Sequence, residues 1–525
     1  MSTGDVRILS RRQVVTGAAS LGLAAPFVRF GALAAQDATP AAAGVPGGTL
    51  KVGLQADPTS LDAQTQNLTA IWHVAEQIYQ GLTRIKPDLS VEPALAESWE
   101  ISEDGLTYTY KLREGVNFHD GTPLKASDVV FTIERLRAPE TASPGASELA
   151  SIDTIEAPDD GTVVITLSQP DASLLAALAG GNGFIYSEAF VKANNNDMTQ
   201  VAMGTGPFKF VEYVPNTRVV LEKNTDYWEE GLPYLDGIEM TIASDDTART
   251  AAVVTGTVDF IEYAPLRDID SLQQNPDITL AGDSNTNIRF AGLNLTREPF
   301  DKPEVREAIS LVVDRNAMLG PTVFGHGTPT AVLFPPDYWA ALQVDVPETD
   351  IERAKQLMAD AGLADGFSTT ITSWSQYSFL SNAAVVLQEQ LRQIGIEAEL
   401  NLVENATMIE QVYSTKDFDI AVTGDSAYVD PNTLILPAFK TDESGNFVTY
   451  SNPDVDKLIE DGIAATDQEA RAEIYRQIQQ ILLDDRPWIP FFVANQYEAM
   501  RNNVKGYTHI PTGSNIAFRE TWIES

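Results

Sequence analysis

Hydrophobic and polar positions alternate with a period of two in several short segments of the first half of the chain. Residues 49–54 follow this pattern and predict a strand. Residues 99–101 and 106–112 flank an Asp-Gly pair at 104–105, which predicts a hairpin with a tight turn. Residues 163–167 repeat the alternation after a second Asp-Gly pair, so we expect a second hairpin in this region.

Helical spacing of apolar residues marks other segments. Residues 71–82 carry apolar side chains on one face, and Ser127 is placed to cap a helix with apolar positions at 129–136. Pro303 begins a further helix, because proline is favoured in the first helical turn. The other predicted elements are helices 352–361 and 383–394, ending near Gly362 and Gly395, the strands 368–372 and 397–400 that follow them, helix 472–483, and an extended apolar segment over 491–501.

The alternation of helices and strands after about residue 280 predicts an α/β lobe. The 525 residues exceed the size at which a single hydrophobic core stops growing, so we expect two large lobes or three smaller units. The extended segment 491–501 can return the chain to the first lobe. This organisation favours a protein that binds a ligand in a cleft between lobes.

Charge and cysteine content exclude several classes of site and partner. The chain has 35 Lys and Arg against 74 Asp and Glu, a net charge of −39 at pH 7. Nucleic acids and anionic membranes are bound through basic surfaces, so we expect neither as a partner. The absence of cysteine excludes disulfide bonds, thiolate metal ligands and a lipid-modified N-terminal cysteine.

The N-terminal segment has the features of an export signal. Arg11 and Arg12 precede an uncharged stretch rich in Ala, Gly and Leu, and small residues at 32–35 form a cleavage pattern. We interpret residues 1–35 as a twin-arginine signal peptide and residues 36–48 as a flexible linker. The protein is therefore expected outside the cytoplasm, in the periplasm or at the outer face of the cytoplasmic membrane.

The sequence contains no pattern that predicts a catalytic, cofactor or metal site. It has no Gly-x-Ser-x-Gly elbow and no phosphate-binding loop. The four histidines are not spaced as metal ligands, so each is interpreted as a hydrogen-bonded structural residue. We predict no catalytic residue, no cofactor and no metal.

Segments in order along almost the whole chain resemble the solute-binding proteins of peptide and nickel-type ABC importers, family 5. The resemblance rests on residues 94–99, 102–105, 112–116, 118–121, 126–130, 204–208, 224–228, 294–301, 305–309 and 488–490. It implies a two-lobed α/β periplasmic-binding-protein fold of type II, in the large cluster C form, with two hinge crossings. The implied limits are lobe I at 49–283 with a β-rich subdomain at about 90–200, lobe II at 284–496, and a return to lobe I at 497–525.

The resemblance also implies a function without chemistry. Members of the family capture a small organic solute, such as an oligopeptide or an oligosaccharide, and deliver it to an ABC transporter permease. We expect a monomer. Two alternatives stay open on the sequence alone: a secreted hydrolase that uses a carboxylate pair in the same cleft, and a chaperone or receptor that is not coupled to transport.

The chain departs from the dipeptide binders of this family at both charged anchors. Where those proteins hold the peptide amine with an aspartate, the matching residue is Ala427, and their usual tryptophan three residues earlier is Gly424. Where they hold the carboxylate with an arginine, the matching residue is Trp374. A zwitterionic dipeptide therefore loses both partners, and an unpaired buried charge is costly.

Other side chains are placed to contact a ligand. Trp374 and Tyr377 offer stacking surfaces, and Asp425 is either a turn residue or a partner for a cationic group. The residues predicted to bind ligand are Asn67, Thr69, Trp72, Trp374, Tyr377, Asp425, Ser426 and Tyr428. Asp430 with Pro431 is interpreted as the cap of the next helix.

Overall fold

The structure, a computed structural model, describes residues 44–66, 68–425 and 429–524. The predicted signal peptide and most of the predicted linker lie outside the described residues. Within the described part of the chain, no helix combines the length and the apolar character that a membrane crossing requires.

The strands lie close to the segments that the alternating pattern predicts. In chain order they are β1 (Thr49–Leu54), β2 (Thr83–Ile85), β3 (Val91–Pro93), β4 (Ala96–Ile101), β5 (Thr107–Leu112), β6 (Ile152–Asp159), β7 (Thr162–Leu167), β8 (Phe208–Val214), β9 (Arg218–Lys223), β10 (Gly237–Ile242), β11 (Phe260–Ile261), β12 (Ile278–Leu293), β13 (Gly327–Pro329), β14 (Phe367–Trp374), β15 (Ile396–Val403), β16 (Ile420–Gly424), β17 (Trp488–Arg501), β18 (Val504–Lys505) and β19 (Trp522–Ile523).

The helices also follow the predicted periodicity, with two differences: the helix predicted over 71–82 ends at Ile78 and leaves Leu82 outside it, and the helix after Lys125 begins differently. In chain order they are α1 (Thr69–Ile78), α2 (Ala126–Arg137), α3 (Leu174–Ala177), α4 (Glu188–Ala193), α5 (Asp246–Thr255), α6 (Ile269–Gln273), α7 (Pro303–Val312), α8 (Arg315–Val323), α9 (Ile351–Asp360), α10 (Ser378–Leu391), α11 (Asn405–Met408), α12 (Asn432–Phe439), α13 (Pro453–Ala464) and α14 (Gln468–Asp485).

The prediction that Ser127 caps α2 is wrong. The helix begins at Ala126, and Lys125 occupies the cap position. The Asp128 carboxylate accepts a hydrogen bond from the Lys125 backbone N–H at 3.1 Å, and this contact closes the first turn. Ser127 therefore does not cap the helix. Pro303 in the first turn of α7 is confirmed.

One large mixed sheet runs through the molecule. Its strand order is β15-β14-β16-β12-β17-β11-β1-β10-β9-β8, and β13 pairs with β17 at the side. β1 pairs in parallel with β10 and β11 on one side of the sheet, and β14 pairs in parallel with β15 and β16 on the other. The separate hairpins predicted from the Asp-Gly turns form a four-stranded antiparallel sheet of order β4-β5-β7-β6.

Two long antiparallel strands join these halves of the sheet. β12 and β17 pair from Ile278 opposite Arg501 to Gly292 opposite Trp488, with an irregularity between 284 and 288. β17 pairs with β11 at its carboxyl end, while β12 pairs with β16 at its own carboxyl end. The chain therefore crosses twice between the two halves, as expected for an extended segment over 491–501.

The buried apolar residues form separate cores on the two sides of these crossings. One core joins β1, α1 and β8–β10, and a neighbouring core fills the space between the four-stranded sheet and α2. Two further cores lie mainly among elements of the second half, one under α7, α9 and α10 and the other under α12–α14, where Leu89 and Ile510 join it from the first half. A fifth core under α5 and α6 reaches both crossing strands. This division of burial leaves the two halves linked mainly by the long strands and by small seams.

Candidate functional site

The carboxyl ends of three strands meet at one edge of the second half of the sheet. β14, β15 and β16 are parallel, and they end at Trp374, Val403 and Gly424. β12 runs antiparallel to β16, so that Arg289 lies directly opposite Gly424. In open α/β sheets the carboxyl ends of parallel strands are the common place for a ligand.

Aromatic side chains form a row at this edge. The rings of Trp374 and Tyr377 are 5.8 Å apart, and those of Tyr377 and Phe379 are also 5.8 Å apart. The Trp374 indole N–H donates to the Thr423 hydroxyl at 3.3 Å, which fixes the ring on the sheet. Tyr377 is 45% exposed, which is unusual for so large an apolar side chain and suits a surface that a ligand covers.

Arg289 extends this row with a cation that the sequence argument missed. Its guanidinium carbon lies 4.9 Å from the centre of the Phe379 ring. Nη1 donates to the Ile288 carbonyl at 3.1 Å and to the Asp425 carbonyl at 3.5 Å. Nε is buried without a hydrogen bond, and no carboxylate of the described residues forms a salt bridge with this guanidinium.

Arg289 retains its charge in spite of this environment. Burial lowers the pKa of Arg289 to about 10, against the attraction of Asp425, so the group is protonated at neutral pH. The only hint in the sequence is one charged residue in the otherwise apolar stretch 288–293. Arg289 lies 85 positions before Trp374, so a search for an arginine in the sequence around Trp374 does not find it.

Gly424 provides the space that Arg289 occupies. A Cβ atom at 424 would lie 2.7 Å from both Cδ and Nη1 of Arg289, and 2.9 Å from the Ile288 carbonyl oxygen. Real Cβ contacts are almost never this short, so a side chain at 424 and the observed position of Arg289 exclude one another. The observed position of Arg289 therefore requires a glycine at 424, where the dipeptide binders of this family have a tryptophan.

The structure describes only some of the other predicted ligand residues. Asn67, Ser426 and Tyr428 lie outside the described residues, as does Ala427. The backbone N–H of Asp425 donates to the Ile288 carbonyl at 3.0 Å, so this residue continues the strand pairing beside Arg289. Trp374, Tyr377 and Asp425 are therefore brought to one edge of the sheet.

Thr69 and Trp72 lie on α1, in the first half of the molecule. Thr69 is exposed at the first turn, and its hydroxyl contacts the Tyr263 phenol. Trp72 is partly buried against the core of this half, with its indole N–H against Gly181 and without a hydrogen-bond partner. Within the described ranges, no hydrogen bond or ring contact joins these two residues to Trp374 or Tyr377.

A buried acid and imidazole cluster holds α1 to the end of β11 and to the C-terminal segment. His73 on α1 pairs with Glu262, and Glu76 one turn later accepts hydrogen bonds from Ser514 and the Asn515 backbone. Burial alone would lower the pKa of His73, but the charge of Glu262 raises it to about 9. Burial raises the pKa of Glu76 to about 7.

Asp430 forms a buried salt bridge with Arg471 and does more than cap the next helix. Its carboxylate accepts two hydrogen bonds from Arg471 at 2.7 and 2.9 Å, and both side chains are buried. It also accepts from the Asn432 backbone N–H at 2.9 Å, although Pro431 occupies the cap position of α12. A cavity of about 170 Å³ beside Arg471 and Trp339 is lined by side chains whose charges are thus already paired.

The described residues contain no group of three or more histidine or acidic side chains that could hold a metal ion. The four histidines each contact a carboxylate or a backbone group instead. His73 pairs with Glu262, His326 with Asp270 and His509 with Glu498, while a ring nitrogen of His119 contacts the Gly206 carbonyl.

Comparison with known proteins identifies the family of this chain. Residues 90–446 match the family model of bacterial extracellular solute-binding proteins, family 5. The glutathione-binding protein GsiB of Salmonella typhi is 30% identical over 502 residues, which cover 94% of this chain and 96% of that protein.

Solved structures of similar proteins share the fold over nearly their whole length. AgaA from A. tumefacien, bound to agropinic acid, is 32% identical with a TM-score of 0.75, covering 91% of this chain and 99% of its own. The periplasmic binding protein DppA from Helicobacter pylori, bound to the peptide STSA, is 28% identical with a TM-score of 0.75, covering 92% and 99%.

These matches settle the predictions of fold class and of function without chemistry. The two-lobed α/β periplasmic-binding-protein fold is confirmed, and the protein is a solute-binding protein of an ABC importer rather than an enzyme. The chain belongs to the bacterial extracellular solute-binding proteins of family 5.

Proposed function

We propose that this protein captures a peptide-like solute between lobe I, residues 49–283 and 497–525, and lobe II, residues 284–496. The row of Trp374 and Tyr377 at the carboxyl ends of β14 and β16 supports this proposal most directly. Asp425 would contact the solute from the same lobe, together with Ser426 and Tyr428. Asn67, Thr69 and Trp72 would contact it from lobe I.

The two long crossing strands provide the hinge for such a cleft. The solute would touch both lobes only in the closed form, so its preference for that form closes the cleft. A shift of the closed form from 1% to 99% requires about 5.5 kcal/mol of differential binding. The permease can then distinguish loaded from empty protein by shape.

The family places the protein outside the cytoplasm, and the N-terminal sequence suggests its route. A twin-arginine signal over residues 1–35 would export the chain already folded. We propose that it then acts as a monomer, since one chain supplies both lobes of the cleft.

A thermal-shift screen tests the function. The compounds are glutathione, agropinic acid, the peptide Ser-Thr-Ser-Ala and, because aromatic rows also bind sugar rings, maltotriose. A compound present at 100 times its dissociation constant stabilises the folded protein by about 2.7 kcal/mol. At least one of the peptide-like compounds is expected to raise the melting temperature.

Two variants then assign the shift to the predicted site. Tyr377→Ala should remove most of the shift, because the ring is exposed and contributes little to the apo protein. Val385→Ala changes another exposed apolar side chain on the same helix, two turns further on, and should leave the shift unchanged. Equal shifts in both variants would place the solute elsewhere, and a screen without any shift would contradict the proposal.

A further inference from the structure

Arg289 differs from Arg471 and Arg315 in how its donors are satisfied, and shares its unbonded buried Nε with Arg249 and Arg519. Arg471 forms two hydrogen bonds with Asp430, and Arg315 donates from Nε to the Thr330 and Pro490 carbonyls at 3.0 and 2.8 Å. Both therefore have complete structural roles. Arg289 uses only Nη1, on two carbonyls, and leaves Nε without a hydrogen bond.

Within the described residues, Arg306 and Arg315 also lack a salt bridge, but each donates to at least three acceptors, whereas Arg289 donates to two carbonyls. Acidic residues outnumber basic ones by 74 to 35, yet within residues 44–66, 68–425 and 429–524 none forms a salt bridge with Arg289. A cation that is partly removed from water without a counter-ion is costly. An anion from outside the chain at this place would add a counter-ion to the attraction that Asp425 already supplies.

The start of α10 adds to the same positive potential. Phe379, which the guanidinium covers, is in the first turn of this helix, and the cap residue Tyr377 gives that turn no side-chain hydrogen bond. The first backbone N–H groups of a helix carry partial positive charge and bind anions when no cap satisfies them. The N-terminus of α10 and the Arg289 guanidinium therefore both favour a negatively charged group beside Phe379.

We propose that Arg289 binds a carboxylate of the solute, and that the solute is an organic acid whose remaining part lies on the rings of Tyr377 and Phe379. This proposal rests on the proposed function, because it names the chemical class that the same cleft accepts. A carboxylate would accept a charge-assisted hydrogen bond from Nη2, while the buried Nε becomes available to it only if the side chain shifts. Gly424 is required because a side chain there would displace the arginine.

Two pairs of small compounds test whether the site prefers a carboxylate, and whether that carboxylate belongs to a peptide-like or a sugar-derived solute. Hippurate and its carboxamide share an aromatic ring and a peptide bond and differ only in the carboxylate. Glucuronate and glucose, which share the pyranose ring and differ at C6, make the same comparison for a sugar-derived acid. Titration calorimetry on the wild-type protein should show at least tenfold tighter binding of one acid than of its neutral partner.

Variants assign this preference to the guanidinium. Arg289→Gln should abolish the preference, and Arg289→Lys, which keeps the charge but loses the planar fork, should retain part of it. Arg297→Gln is the matched control, because Arg297 lies just beyond the same strand and already pairs with Asp417 and Asp419. The melting temperatures of the apo variants show that each is folded.

The outcomes separate this inference from the proposed function. If a compound of the thermal-shift screen binds, but Arg289→Gln binds the acid as tightly as the wild type does, the carboxylate assignment is wrong and the function stands. Equal binding of acid and neutral partner, or no binding of either acid, also overturns the assignment. Only a thermal-shift screen without any hit rejects the proposed function as well.

Discussion

Replacement of Glu262 by Gln is expected to flatten the pH dependence of the free energy of unfolding between pH 7 and pH 9. Glu262 pairs with His73 in a site where both side chains are about 3% exposed. Burial disfavours the charged imidazole, but the carboxylate outweighs this and raises the pKa of His73 from 6.5 to about 9. The folded state therefore holds a proton that the unfolded chain releases.

The sign and size of the effect follow from these two pKa values. A raised histidine pKa gives stability that is complete below pH 6.5 and is lost as the pH rises through 9. The loss between pH 7 and pH 9 is about 2 kcal/mol, since each pKa unit is worth about 1.4 kcal/mol. The raised pKa of Glu76, about 7, adds a smaller loss of the same sign near the start of this range.

Urea denaturation at pH 7, 8 and 9 measures this slope, and tryptophan fluorescence reports unfolding. Glu262→Gln removes the charge that keeps His73 protonated, so its free energy of unfolding should vary little over the range. His119→Gln is the control, because burial lowers the pKa of His119 to about 4 and the ring is neutral throughout. This variant should keep the slope of the wild type.

The comparison depends on slopes, so a general loss of stability in either variant does not affect it. Tyr263 and Tyr507 near the cluster stay neutral in this range, because burial raises the pKa of both phenols. A slope in Glu262→Gln equal to that of the wild type would refute the assignment of the proton to His73.

Two further predictions concern stability alone. Asp430→Asn should cost about 3–5 kcal/mol in urea denaturation, because it leaves Arg471 buried without its counter-ion; a cost below about 1 kcal/mol would contradict this role. Gly424→Ala should cost about 1–3 kcal/mol in the wild type and less in an Arg289→Ala background, because the overlap with Cδ and Nη1 disappears while the 2.9 Å approach to the Ile288 carbonyl oxygen remains. Additive effects, within about 0.5 kcal/mol, would show that the two positions are not coupled.

Local patterns were sufficient to predict most of the fold. The alternating residues 106–112 and the helical spacing after Pro303 each reflect one buried face, and a face is a local property of the sequence. The start of α2 was predicted wrongly at Ser127 because the deciding contact is the reach of Asp128 back to Lys125. Ser127 and Asp128 are both residue types that cap helices, but the helix begins before either of them, and the sequence does not show that Lys125 is the residue at the cap position.

The proposed binding edge was only partly predictable, for a different reason. Trp374 and Tyr377 follow a predicted strand, so their place at its carboxyl end could be inferred. Arg289 reaches the same edge through strand pairing with Gly424, which is 135 positions later. Pairing between strands that are far apart in the sequence leaves no local pattern. The glycine at 424, in place of the family's tryptophan, therefore does not reveal that Arg289 occupies the space beside it.

The position of Arg289 on a crossing strand determines what it can contribute to closure. Residues at a hinge move little when lobes rotate, so Arg289 would hold a solute carboxylate about equally in the open and closed forms, and such a contact adds affinity without shifting the equilibrium. The differential binding must then come from Thr69 and its neighbours on α1.

At saturating solute, Arg289→Lys should therefore show the same decrease in radius of gyration by small-angle scattering as the wild type, at a higher midpoint concentration. Thr69→Ala should bind with a reduced decrease, and the opposite assignment of the two effects would exclude Arg289 as a hinge-side anchor.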